Sequence, residues 1–290
     1  MLDSLKLRFF WLTLERYPNA FRPSSKPYIS GDTIRNYCDY IFDECNTFDP
    51  SKIQNRDRVF LNSDFLEIYF KIIHPKIQNK YFLFTHNSDI SIDESVFKKY
   101  YDENIIHWFA QNLITKENEK ISLIPIGLEN LRRLKHGRKK WFKDYPKLKS
   151  YNILSAYNEF TNYKKRGGIK NIIQNQDLID FKNFTSTKEY FNELKKYKFV
   201  LCPEGNGPDT HRVWESINLK VIPIMLRSDF SENLQNNNVP GYYINHWEEL
   251  NHIKKIDLDS IYSEILETSN FQTSQFNYWN NKFTEFESKI

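Results

Sequence analysis

Residues 199–226, FVLCPEGNGPDTHRVWESINLKVIPIML, hold the side chains best suited to chemistry. An apolar stretch reads as a buried strand and runs into a turn of Gly205, Asn206, Gly207 and Pro208. Asp209 or Thr210 then caps a helix beginning near His211. A strand that passes through glycines into a helix can build an anion site. The first helical turn has free N–H groups and a partial positive charge. Glycines let the backbone approach a ligand closely, and Arg212 adds a planar, permanently charged fork for phosphate oxygens. Glu215 lies three residues after Arg212 and four after His211, so the three share a helical face, while Val213, Trp214 and Ile217 turn toward a sheet. This spacing offers diphosphate at the helix tip and, one turn deeper, a carboxylate for two ribose hydroxyls. A second reading stays open from spacing alone: a common Gly-rich turn followed by an Arg212–Glu215 surface ion pair.

Such side chains need a scaffold that gathers strand ends. KYFLFTH (80–86) and ISLIPIG (121–127) read as buried strands, the second closed by Gly127. Val59–Leu61 is a shorter apolar run, DFLEIYFKIIH a helix stopped by Pro75, and another helix starts in residues 26–45 after Ser30 or Asp32. Residues 104–114 fit helix and strand equally. The alternation predicts a parallel sheet covered on both faces. The Lys- and Arg-rich stretch 132–150, with Pro146, reads as a linker. YNILSAY (151–157) opens a second series, in which KFVLCPEG is a strand, HRVWESINLK a helix and VIPIML a strand. FNYWNNKFTEFESKI reads as a terminal amphipathic helix, with Phe276, Trp279 and Phe283 at helical spacing. Ligands of open α/β sheets sit at the carboxyl ends of strands, where the Gly-rich turn and a loop carrying Arg166 both fall.

Composition narrows the classes. The 290 residues suffice for two modest α/β domains, and 40% hydrophobic content supplies a core. Aromatics reach 16%, but the accompanying wealth of Lys, Asn and Ile fits an AT-rich coding genome, so they are not read as a binding platform. A formal charge of +4 is weak for a nucleic-acid binder, and no nucleic-acid partner is expected. The basic run Arg132, Arg133, Lys135, His136, Arg138, Lys139, Lys140 is either a solvated face or an attraction for phosphates, of a nucleotide or of an anionic membrane surface. The three cysteines lack metal spacing, and the apolar run Phe9–Leu14 is too short for a signal or a membrane span. A cytoplasmic protein with free thiols is expected, with peripheral contact at the inner face of the membrane left open.

CPEGNGPDTHRVWESINLKVIPI resembles the carboxy-terminal motif of bacterial exostosin-like glycosyltransferases, P-x-G-x-G-x-D-x-x-R-x-W-E followed by a small turn and an x-I-P-I strand. Pro203, Gly205, Gly207, Asp209, Arg212, Trp214, Glu215 and Pro223 match, and Lys220 departs from the usual glycine of the turn. FLFTHNSDISI, WFAQN with IPIGLEN, and SAYNEFTNYKKRGG resemble upstream parts of that family, and ISGDTIR does so more faintly, so the likeness spans about residues 57 to 245. It implies an α/β chain of the GT-B type: two Rossmann-like domains facing a central cleft, over residues 1–146 and 147–272, with a C-terminal helix at 273–290. It also implies sugar transfer from a nucleotide sugar, expected to be UDP-linked, to a glycan or lipid-linked glycan acceptor in bacterial surface polysaccharide synthesis. The chain is short for such an enzyme, so a trimmed chain or a part of a larger one is a further expectation.

Arg212 and Glu215 are then the implied nucleotide contacts. The donor set is Arg166, Gly205, Asn206, Gly207, Asp209, Thr210, His211, Arg212 and Glu215, with arginines and backbone N–H groups stabilising the leaving diphosphate. Inverting transfer needs a base for the acceptor hydroxyl. Asp89 is the first choice, His86 the second and Glu129 the third; the competing roles are a turn cap for Asp89 and a satisfied buried group for His86. Retaining transfer needs no base. Asp257 and Asp259 form a D-x-D at the start of a late helix rather than just after a core strand, so neither a metal nor a cofactor beyond the nucleotide sugar is expected. Two rival classes remain, a non-catalytic nucleotide- or sugar-binding module and, on the basic runs alone, a nucleic-acid binder.

Overall fold

The computed structural model of the chain describes residues 22–174 and 177–288; the run Phe9–Leu14 lies outside them. It contains two five-stranded sheets whose paired strands are all parallel. The first holds β1 (Tyr40–Phe42), β2 (Arg58–Asn62), β3 (Tyr81–His86), β4 (Ile105–Ala110) and β5 (Ile121–Leu123) in chain order. The second holds β6 (Tyr151–Ser155), β7 (Ile179–Phe181), β8 (Tyr197–Leu201), β9 (Ile222–Leu226) and β10 (Tyr242–Ile244) in the order β10-β9-β8-β6-β7. There the chain runs from β6 to β7 on one side, then returns to place β8 on the other. This reversal is the switch point of a doubly wound sheet, where the crevice at the carboxyl ends of neighbouring strands accepts ligands. The first sheet has no reversal.

The ambiguous segment 104–114 is settled as strand β4, whose Trp108 Nε1–H donates to Thr85 Oγ1 on β3 at 2.8 Å. The helix expected in residues 26–45 is one short piece, α1 (Gly31–Arg35), capped by Ser30, whose hydroxyl accepts from Thr33 N–H. The same window goes on to the edge strand β1. The segment before Pro75 is helical but irregular, with a π turn at Tyr69–Ile73, and it keeps Leu66, Tyr69 and Ile73 buried. ISLIPIG forms a strand only to Leu123; Gly127 instead bridges to Ser30 with φ +66°, and a Cβ there would lie 2.3 Å from the Ile29 carbonyl oxygen. The remaining helices used below are α2 (Glu94–Tyr100), α3 (Thr187–Leu194), α4 (His211–Asn218), α5 (Asp229–Asn236), α6 (Lys255–Thr268) and α7 (Phe276–Ser288).

Two apolar cores result. One covers the first sheet and continues through Trp214 and Ile217 of α4 to α7; the other lies on the far face of the second sheet, around Phe199, Leu201, Ile222 and Ile224. The face of α7 expected from its spacing is the buried one. Phe283 packs on Phe84 and Phe109 of the first sheet, and Trp279 sits edge-on to Trp214. The chain therefore ends by tying α4 to the first sheet. Residues 132–150 carry no strand but are anchored, because Trp141 stacks on Phe191 of α3 at 5.6 Å. Among the described residues, no helix is long and apolar enough to cross a membrane.

Candidate active site

The strand β8 ends in a loop that leads into α4, and Val213, Trp214 and Ile217 hold that helix against the core. The Gly-rich turn between them does not open toward solvent as a phosphate cradle. Gly205 N–H donates to Gly207 O at 3.0 Å, and Gly207 lies so close to Asn112 that a Cβ would meet Asn112 Nδ2 at 2.7 Å. Asp209 is buried; its Oδ2 accepts from Ile126 N–H at 2.7 Å and its Oδ1 from Trp214 Nε1–H at 2.9 Å. Burial pushes this carboxyl up to about 7 against those hydrogen bonds. His211 Nδ1 bonds Gly127 O at 2.8 Å. Gly207, Asp209 and His211, expected on the donor, thus fasten the first half of the chain to the second. The reason is symmetrical: small residues and free N–H groups that admit a ligand also admit another stretch of backbone. Asn206 is exposed at the tip of the turn, and Thr210 caps α4 only with its backbone.

The arginines behave differently. Arg212 Nη2 donates to Ala156 O at 2.9 Å, at the carboxyl end of β6, while its Nε is buried without a hydrogen-bond partner. Arg166 is buried beside it and donates to three backbone carbonyls: Nε to Glu204 at 2.7 Å, Nη1 to Asn158 at 3.2 Å and Nη2 to Pro203 at 3.4 Å. Burial first, then the like charge of Arg212, pull the Arg166 guanidinium down to about 10. Among the described residues, neither arginine has a carboxylate within ion-pair distance, whereas neighbouring Lys165 pairs with Glu204 at 3.0 Å. The hydroxyls of Tyr157 and Thr210 are likewise buried without partners. A buried cation, a half-buried one and unpartnered polar groups therefore meet where β6 and β8 diverge, a combination that costs free energy until an anion joins it.

A cavity of about 970 Å³ opens there, lined by Ser155–Phe160 after β6, Phe181–Thr187 after β7, Tyr190, Arg212, and Lys135 with His136 from the linker. Glu215 does not line it. The carboxylate is 3% exposed, its Oε1 lies 3.2 Å from His136 Nδ1, and its Oε2 accepts from Tyr190 Oη–H at 3.3 Å. Direct ribose contact, expected for Glu215, would require His136 to give way; in the observed arrangement Glu215 stands one layer behind two side chains that do face the cavity. In the sequence His136 stands out only as one member of a basic run. Its position shows in the fold alone, since Glu215 lies 79 residues away.

A second cavity, of about 750 Å³, lies at the carboxyl ends of β3, β4 and β5 and shares Lys135 with the first. Asp89, Glu129 and His86 all line it, together with Arg132, Arg133 and His211. His86 is buried, with Nε2 on Pro125 O at 3.0 Å and Nδ1 accepting from Asn87 N–H at 2.7 Å. Burial holds its imidazole down to about 4. With both ring nitrogens engaged it is a satisfied structural group and not a base. Glu129 Oε2 accepts from His136 N–H at 3.0 Å. Asp89 is exposed on the cavity wall, the freer of the two candidate carboxylates. Asp257 accepts from Lys254 N–H at the start of α6 and Asp259 pairs with Lys198; neither lines either cavity.

No family model and no curated protein sequence matches this chain. Among solved structures, the GtfA/B complex aligns with a TM-score of 0.39 at 11% identity, over 82% of this chain and 58% of that one. The pneumococcal O-GlcNAc transferase GtfA in complex with UDP and GlcNAc aligns with a TM-score of 0.33 at 12% identity, over 73% of this chain and 50% of that one. This chain thus spans between 50% and 58% of the length of these structures. Likenesses this loose carry neither activity nor residue roles across.

Proposed function

We propose that the chain is a glycosyltransferase of the GT-B type, using a nucleotide-sugar donor, with the two cavities forming one cleft. The observation that carries this reading is a pair of arginines, Arg166 buried and Arg212 half-buried with its Nε enclosed, left without carboxylate partners at the switch point of the second sheet. Their charge suits a diphosphate, and the 970 Å³ cavity beside Arg212 is large enough for a nucleotide sugar. The motif from Pro203 to Glu215, with its resemblance to exostosin-like enzymes, supports the same class. Donor binding then falls to Arg212 at the cavity wall, with Arg166 behind it. The two guanidiniums supply charge that a divalent cation would otherwise provide, so the reaction is assigned as metal-independent.

In this reading the acceptor, a glycan or lipid-linked glycan, enters the cavity at the ends of β3–β5. Asp89 takes the proton of the attacking hydroxyl as its oxygen bonds the anomeric carbon. The bond from that carbon to the diphosphate oxygen breaks, and the electron pair leaves with the diphosphate. Asp89→Asn should abolish inverting transfer and leave nucleotide affinity unchanged. A non-catalytic binding module is the second reading, favoured by the loss of His86 as a base; it predicts nucleotide binding without turnover in the unmodified chain. A thermal-shift screen against UDP, GDP, CDP and CMP sugars tests the class. Stabilisation by one nucleotide that disappears in Arg212→Ala supports the reading, and no response to any of them sinks it.

A further inference from the structure

His136 is held more deliberately than a member of a solvated basic run would be. Its backbone N–H is bonded to Glu129 and its Nδ1 to Glu215, and its ring rests on Tyr190 and Phe191 of α3, each with centroids 5.6 Å away. Its Nε2 has no hydrogen-bond partner among the described residues, and the side chain, 39% exposed, lines the cavity that Arg212 also lines. A carboxylate on one imidazole nitrogen fixes the ring and leaves the other nitrogen aimed at whatever occupies the site. Resting on the donor reading above, we propose that His136 is a third cation at the leaving diphosphate, with Glu215 as its positioning residue. Its Nε2–H hydrogen-bonds the diphosphate oxygen that receives the electron pair when the bond to the anomeric carbon breaks. The acceptor proton still goes to Asp89, so His136 contributes charge and a hydrogen bond and keeps its own proton.

The charged and titratable groups facing His136 are Glu215 and Arg212 on α4, Glu129 after β5, Tyr190 on α3 and the adjoining Lys135. Burial lowers the His136 pKa, but the bond to Glu215 and the charges of Glu215 and Glu129 outweigh it, and the net shift is upward. Glu215 is shifted downward by the same pair against its own burial. The imidazolium therefore persists to higher pH than that of an ordinary histidine, and its contribution to anion binding must fade as pH rises.

The test is calorimetric titration of the whole chain with UDP and with inorganic diphosphate between pH 5.5 and 9, comparing each variant with the unmodified protein at the same pH so that the ligand's own ionisation cancels. His136→Gln should bind roughly tenfold more weakly at low pH and converge on the unmodified protein at high pH. Glu215→Gln should keep the pH dependence but move it to lower pH, because the imidazolium loses its carboxylate. A His136→Gln deficit that is absent, or the same at every pH, overturns the role of His136 while leaving the donor site standing. If the unmodified protein binds neither ligand, the donor reading itself fails. Thermal melts of both variants establish that each is folded before binding is compared.

Discussion

Arg212 carries the donor reading because one end of its guanidinium is committed to the Ala156 carbonyl while its Nε is buried without a partner. Arg212→Lys keeps the charge but removes the planar fork, so UDP affinity should fall roughly tenfold or more. Unchanged affinity by titration would show that any positive charge suffices there. This arginine was legible in the sequence, since strand, turn and helix placed it next to a strand end. Glu215 was legible as an acceptor on the same helix, expected to face a ribose, but neither its burial nor its partners were. Helical spacing reports neighbours three and four residues away, while His136 reaches Glu215 from 79 residues off. His86 shows the opposite limit: a histidine after a buried strand fits a base and a structural group equally well, and only Pro125 O and Asn87 N–H decide between them.

Among the elements, β3, β8, α4, β9 and α7 could be read from periodicity because their apolar faces are long and continuous. The short edge strand β1 could not: three residues pair with β2, and two of them are only partly buried. The turn after α4 is instructive. Lys220, standing where the resembling family usually has glycine, nevertheless holds φ +55°, and its ammonium lies 3.6 Å from the Phe271 ring centroid. The left-handed backbone is thus kept without the residue that adopts it most cheaply. Lys220→Gly should raise stability by about 0.5–1 kcal/mol, because relief of the backbone strain outweighs the cation–π attraction to Phe271. Chemical denaturation measures this directly, and a destabilised variant would mean that the attraction to Phe271 dominates.

For the whole molecule, the Gly-rich turn works as a fastener between halves. Gly207→Ala would drive a Cβ against the Asn112 amide and should cost about 1–3 kcal/mol, read as a lower melting temperature; an unaltered melt would contradict so tight a fit. The sequence showed both parallel sheets but not this docking, because a turn built to admit phosphate and a turn built to admit backbone use the same residues. Acid should loosen the first half. Burial holds His86 and His107 at about 4, below the ordinary 6.5, so the unfolded chain takes up these protons first. Stability should be full above pH 6.5 and fall toward pH 4 by up to about 3 kcal/mol for each group. Asp209, held up to about 7, has the opposite slope, so urea unfolding at pH 7 and 4.5 is compared between the unmodified chain and His107→Gln; the same loss toward pH 4.5 in both would contradict the histidine contribution. The central claim is tested most directly by a crystal structure with UDP. The diphosphate should lie between the carboxyl ends of β6 and β8, with an oxygen on Arg212 Nε and another facing His136. A nucleotide seated instead in the cavity around Asp89 would contradict it.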